Sequence, residues 1–450
     1  MFLGIRRLGS RQRLRHSGVW LAVTCWCCLQ APAQRVPERA QQVKDRMLAG
    51  RFPEKPSIAP TWTLPVEALG FAAPGPIYLG QRSSMVSLDF LDENRLLFTF
   101  RVPGLQRREA GNAGAGDTRQ IRAVVLALPT GAVESQAQWT VHGRGRYLWM
   151  LKEGHFLLSD GSNLLQGDAS LALKPLLKFP GTLLTVDTDP SQQFLLTNSS
   201  EPEAAAKPGE VPSPLGLGNG ASADIDTGEE DPSEQLDIVV RILRRDTGEV
   251  LLVSRVRSRV YLPINSDGYV ESLRGSAGNW VLNLSYFTGG SRILGNVSSS
   301  CLPGTTFISE QEVLANTCTD AGGTGMVAMT TDGRTLWKDS FPEQTVWPEV
   351  TMAPNGLRIA RESLFVKEKV SALAPLSTDD IKGQWLRVFD AATGDVVLEA
   401  PANPVLDAGG NVAISPSGRR VAVLSSGGIE IFELPAAPPL PPAPTTGAKQ

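Results

Sequence analysis

The chain has 450 residues, 42% of them hydrophobic, and a formal net charge of -3. That apolar share supports a real core, and the near-balance of charge leaves out the clustered basic surface that nucleic-acid binding requires. No apolar run approaches the roughly 18 residues of a membrane-spanning helix, so no span is expected once the leader described next is removed.

The N-terminus reads as an export signal. A basic leader, "RRLGSRQRLRHSG" (6–18), precedes a short apolar run, "VWLAVTCWCCLQ" (19–30). "APA" (31–33) supplies small residues where such signals are cut, so residues 1–33 are expected to leave and the mature chain to begin at Gln34. This predicts an exported protein, periplasmic or extracellular. Residues 34–75 read as an extension and linker, with a short polar helix over 38–51 and an extended "FPEKPSIAPTWTLP" (52–65) after it.

Two kinds of hairpin follow. The first runs strand, polar turn, strand, over 86–100, 183–198, 350–361 and 412–425, with weaker copies at 147–159, 270–287 and 305–318. In "VTMAPNGLRIAR" and "VAISPSGRRVAVLS", Pro354 and Pro416 set φ for a type I turn that Gly356 and Gly418 close. The second kind turns on Thr-Gly or Asp-Gly, over 124–139, 241–254, 325–341 and 387–400. Glycine suits that turn because it accepts positive φ.

Each of the seven first-kind hairpins is followed by a further strand or strand pair. Four antiparallel strands per unit is the grammar of a β-propeller blade, and a blade buries its faces only by stacking on neighbours. The expectation is an all-β fold: a single propeller of seven four-stranded blades over 76–435. A β-sandwich needs only about seven strands in roughly 100 residues and leaves most of the chain unused. The last blade has one more strand, "GIEIFELP" (428–435), before a proline-rich tail (436–450) that cannot sustain a ladder and reads as disordered. Its missing outermost strand is assigned to "PIYLGQ" (76–81), so that an N-terminal strand closes the ring.

"SPSGRRVAVLSSGGIEIFEL" (415–434) resembles the WD40-like bacterial propeller repeat. "VFDAATGDVVLEA" (388–400) and "MTTDGRTLWKDSF" (329–341) resemble the quinoprotein, PQQ-type, repeat. The resemblance implies a bacterial exported propeller serving as a binding or scaffolding module.

Cys301 and Cys318 are the two cysteines left after the leader. An even count in an exported chain points to a disulfide, and the hairpin between them, turning near 309–311, puts both at matched height. Two buried thiols are the other reading. His142 and His155, the two histidines outside the leader, occupy neither a nucleophile-elbow context nor a metal-ligand spacing. In "TTDGRTLW" (330–337) the spacing fails as a sialidase Asp-box. The acidic "DIDTGEEDPSE" (224–234) lacks the alternating ligands of a calcium loop. No cofactor, metal or catalytic residue is assigned.

Three insertions interrupt the pattern, at 104–120, 199–235 and 362–384, each between the second and third strand of its blade. The second is rich in proline, glycine, alanine and acid and reads as disordered. Insertions gathered on one face of a repeat array mark a working surface. Arg107 and Arg108 in the first, with Leu364, Phe365 and Val366 in the third, are the candidate partner-binding residues. The favoured reading is a non-enzymatic, monomeric scaffold for a protein or envelope component. The other is a glycan-acting or cofactor-dependent enzyme with its site at the central channel.

Overall fold

The computed structural model describes residues 51–74, 85–102, 118–142, 146–201, 238–256, 259–276, 278–319, 323–368, 376, 378–406, 410–426 and 428–437. They form seven antiparallel sheets set as blades in a ring, a β-propeller. In chain order, blade 1 spans 87–142, blade 2 148–178, blade 3 182–256, blade 4 260–298, blade 5 304–341, blade 6 345–402 and blade 7 412–433. In blades 1 to 6 the strands run from inner to outer in sequence order.

The turn residues act as expected. In blade 6 the Gly394 N–H donates to the Asp390 carbonyl at 2.8 Å with φ +75°. Beside this turn the register slips between Val388 and Phe389. This is the three-residue hairpin whose left-handed glycine creates a bulge. The same slip follows the Thr-Gly turns of blades 1 and 3 and the Asp-Gly turn of blade 5.

Among the described residues the core is seven apolar clusters, one in each seam between neighbouring blades. Leu97, Val125, Phe156 and Leu158 fill the seam between blades 1 and 2. Leu314, Trp337, Phe365 and Trp385 fill that between blades 5 and 6. Each second strand therefore has blades on both sides, and Arg358–Val366 is buried at all nine positions.

Blade 4 departs from the expected pairing. The hairpin read at 270–287 does form, as Gly268–Arg274 against Asn279–Tyr286, but these are the blade's second and third strands. The inner position belongs to 260–264, an irregular stretch held by an Ile264–Tyr269 bridge and a Val270 N–H donated to the Pro263 carbonyl. Pro263 has no N–H to donate, which breaks the regular ladder.

The segment read as a linker packs against the ring. Trp62–Pro65 pairs antiparallel with residues 428–431 and is the fourth strand of blade 7. The stretch assigned to this place, Pro76–Gln81, lies outside the described residues. Upstream, Ser57 exchanges two hydrogen bonds with the Glu399 backbone on the outer strand of blade 6. Along this strap Phe52 packs into the seam of blades 5 and 6, and Ile58 into that of blades 6 and 7. Leu64, Val66 and Leu69 enter the seam of blades 7 and 1. Apolar residues therefore recur along the strap wherever it crosses a seam.

Candidate functional site: the insertion-bearing face

Antiparallel strands alternate direction, so second-to-third connections and blade-to-blade connectors share one face of the ring. First-to-second and third-to-fourth turns share the other. The insertions of blades 1, 3 and 6 follow Arg95–Arg101, Phe194–Ser200 and Arg358–Val366 and precede Thr118–Ala127, Ile238–Arg244 and Ile381–Asp390. All three therefore leave from the first of these faces.

Their described roots are anchored. At blade 3, Arg241 donates from Nη1 to Glu201 Oε1 at 2.5 Å and from Nη2 to Glu201 Oε2 at 2.9 Å, with the Ser199 hydroxyl donating to the same carboxylate at 2.7 Å. Burial alone would raise the Glu201 pKa, but Arg241 and Ser199 outweigh it and hold the carboxyl below its ordinary value. At blade 6, Lys367 donates through its backbone to Asp380 and through Nζ to the Asp379 carbonyl. Cys301, on the connector from blade 4, is disulfide-bonded to Cys318 at the end of the second strand of blade 5, with Cα atoms 5.5 Å apart. His142 Nδ1 lies 2.6 Å from Asp160 Oδ1 across the seam of blades 1 and 2.

Of the residues singled out for partner binding, Arg107 and Arg108 lie outside the described residues. Leu364, Phe365 and Val366 are 2%, 3% and 0% exposed. Phe365 packs on Trp385 at 5.4 Å and on Phe52 at 5.6 Å. Their apolarity serves the seams on either side of a second strand, so they present no surface to a partner. The strands flanking that insertion end at Val366 and resume at Ile381.

The opposite face is built from short turns that cap one another. Glu310 of blade 5 accepts from the Ser191 N–H of blade 3 at 2.8 Å and the Ser266 N–H of blade 4 at 2.9 Å. Glu93 of blade 1 accepts from the Ser417 N–H of blade 7 at 2.6 Å. A cleft of about 340 Å³ opens beside Glu93, Asn94, Arg420 and Glu433, but Arg420 is bonded to the other three.

Two charged layers lie inside blade 6, and sequence reasoning missed both. On the side toward blade 5, Arg361, Arg387 and Glu399 are register partners across three strands, all 0–1% exposed. Arg361 sits 3.8 Å over the Phe341 ring and Arg387 3.8 Å over Trp385. Burial lowers the Arg387 pKa to about 9, against the favourable fields of Glu399 and Asp339, so it stays charged near neutrality. On the side toward blade 7, Glu349 faces Glu362, with Gln384 and Asn411 behind them. Glu362 is 3% exposed, whereas Glu349 is half-buried.

No protein-family model matches the chain, and no curated protein matches it in sequence. Its solved structural neighbours are distant. An acylaminoacyl peptidase from Pyrococcus horikoshii aligns with a TM-score of 0.43 at 12% identity, over 79% of this chain and 52% of the peptidase. The β-propeller domain of the Trilobed protease from Pyrococcus furiosus aligns with a TM-score of 0.41 at 10% identity, over 78% of this chain and 94% of that domain. Kuenenia stuttgartiensis hydrazine synthase gives 0.42 at 9% identity, over 81% and 99%. The chain spans about half the length of the peptidase it matches.

Proposed function

We propose that this protein is an exported propeller that binds a protein or a cell-envelope component, as a single chain, through the face carrying the three insertions. The observation that carries the reading is the common exit of all three from one face, with two of their roots held by Glu201–Arg241 and by Lys367 on 379–380. Variable loops on a rigid scaffold are how repeat folds present binding surfaces. Export rests on the leader sequence, and the Cys301–Cys318 bond fits an oxidising compartment.

The test compares the mature chain with variants in which 103–117, 202–237 and 368–377 are each replaced by a tight turn. Both are used to capture partners from envelope and secreted fractions. The reading expects a partner held by the mature chain and lost on trimming, with the melting temperature unchanged. A partner that survives trimming of all three moves the surface to the turn face or the channel. If neither chain captures anything, the glycan- or cofactor-acting alternative is tested next, by screening such ligands at the channel.

A further inference from the structure

Glu349 on the inner strand of blade 6 and Glu362 on its second strand stand directly opposite one another. Such partners have Cβ atoms about 4.5–5.5 Å apart, and like charges there repel. Glu362 is almost fully buried and Glu349 half-buried. Three polar side chains form this corner. Glu349 comes from the inner strand, Gln384 from the third strand, and Asn411 from the connector into blade 7. The charged one bearing on Glu362 is Glu349. Beyond them the seam is apolar, with Leu386 and Val388 meeting Val412, Val421 and Val423.

We propose that Glu362, buried opposite Glu349, holds a proton at neutral pH and so ties the seam between blades 6 and 7, which loosens when that proton is lost in alkaline solution. Two carboxylates this close, one of them almost fully buried, cannot both ionise cheaply. The Gln384 amide nitrogen donates to Glu362 Oε2 at 2.5 Å, which leaves the other oxygen to carry the proton. Burial first, then the facing Glu349, raise the Glu362 pKa to about 8, and the Gln384 bond offsets them in part.

The reach of the pair goes beyond the strand. Gln384 Oε1 accepts from the Leu406 N–H at 2.7 Å and from Asn411 Nδ2 at 3.1 Å, and Asn411 Nδ2 also donates to the Pro404 carbonyl at 3.0 Å. A continuous hydrogen-bonded path thus runs from Glu362 on the second strand to the connector between blades 6 and 7, on the insertion-bearing face. The inference is independent of what that face binds.

The sign of the effect follows from linkage. Between the ordinary carboxylate range and about pH 8 the native state carries a proton that the unfolded chain has lost, so stability falls as pH rises through that window. Calorimetric unfolding of the full chain at pH 7, in buffers of different ionisation enthalpy, counts the protons released. Wild type should release about one more proton than Glu362→Gln. The melting temperature of Glu362→Gln should stay level from pH 5 to 8.5 relative to the falling wild-type curve. Glu349→Gln should move the end of the fall to lower pH. Equal proton release by wild type and Glu362→Gln, or parallel pH curves, overturns the proposal. Should Glu362→Gln fail to fold, the infrared C=O stretch of a protonated carboxyl in native wild type at pH 7, fading above pH 8, decides instead. Its absence rejects the buried proton.

Discussion

Each seam of this ring holds an apolar cluster, yet the seams are secured in two different ways. From blade 4 round to blade 1, a covalent bond or a crossing segment spans each seam. The disulfide ties the connector leaving blade 4 to the second strand of blade 5, and the strap passes over the next three seams with Phe52, Ile58 and Leu64. From blade 1 to blade 4, local side-chain bonds join neighbours instead. Tyr147 bonds Thr99, Gln192 accepts from Lys152, and Asn198 both donates to and accepts from Val260. Blade 7 is assembled from both ends of the ring, with three strands from 412–433 and the fourth from Trp62–Pro65. Reinforcement is thus heaviest around the blade whose strands come from distant parts of the sequence.

This contrast can be broken most severely by removing the strap. A chain begun at Ala72 exposes the sites of Leu64, Val66 and Leu69, each under 9% exposed. At roughly 1.5–3 kcal/mol per buried side chain this costs about 5–9 kcal/mol, enough to abolish cooperative urea unfolding. If its midpoint equals that of the full chain, the strap merely lies on the ring.

Inside the strapped half, Arg387→Leu leaves Glu399 buried without its register partner and should cost about 3–5 kcal/mol. Adding Glu399→Leu should recover most of that loss, and urea midpoints measure both. At the seam of blades 4 and 5, Cys301→Ser with Cys318→Ser removes a link of sequence separation 17. The expected loss is about 3 kcal/mol, with no equivalent effect at the seams of blades 1 to 3 by hydrogen exchange.

A finer test couples strap to blade. A methyl group at Gly383 would lie 2.4 Å from the Phe52 ring. Gly383→Ala should therefore cost about 1–3 kcal/mol in the full chain and far less beside Phe52→Ala, a coupling that a double-mutant cycle reads directly. The smallest effect belongs to the root of the blade 3 insertion. Glu201 is held below its ordinary pKa, so it contributes stability above the carboxylate range that is lost on acidification. Glu201→Gln should flatten that acid limb in a melting-temperature profile.

Most of the blade pattern was legible because the signals were local. Thr-Gly and Pro-x-Gly turns between β-rich runs mark hairpins regardless of tertiary context, and the four Thr-Gly or Asp-Gly hairpins stand where they were read. Non-local facts were harder. Nothing in "WTLP" distinguishes a fourth strand from a linker, because its partner lies at 428–431. Pro263 hid the inner strand of blade 4. Leu364, Phe365 and Val366 read as a sticky insertion because an apolar run in a strand buried on both faces looks like an apolar patch. The buried layers were invisible for a related reason. Arg361, Glu362 and Arg387 are ordinary charged residues until register places them opposite one another.

The strap also sets an order on folding. Ser57 and Glu399 lie 342 residues apart, so the contact forms only after six blades' worth of chain has been made. Closing a loop that long costs about 5 kcal/mol of chain entropy, which only the assembled blades can offset. During synthesis the strap therefore emerges before any blade and waits longest for its partner strands, and all that time its apolar side chains remain uncovered. The same residues that finish the ring are the ones a nascent chain must shield, and a peptide of residues 51–74 supplied in trans should speed the refolding of the chain begun at Ala72.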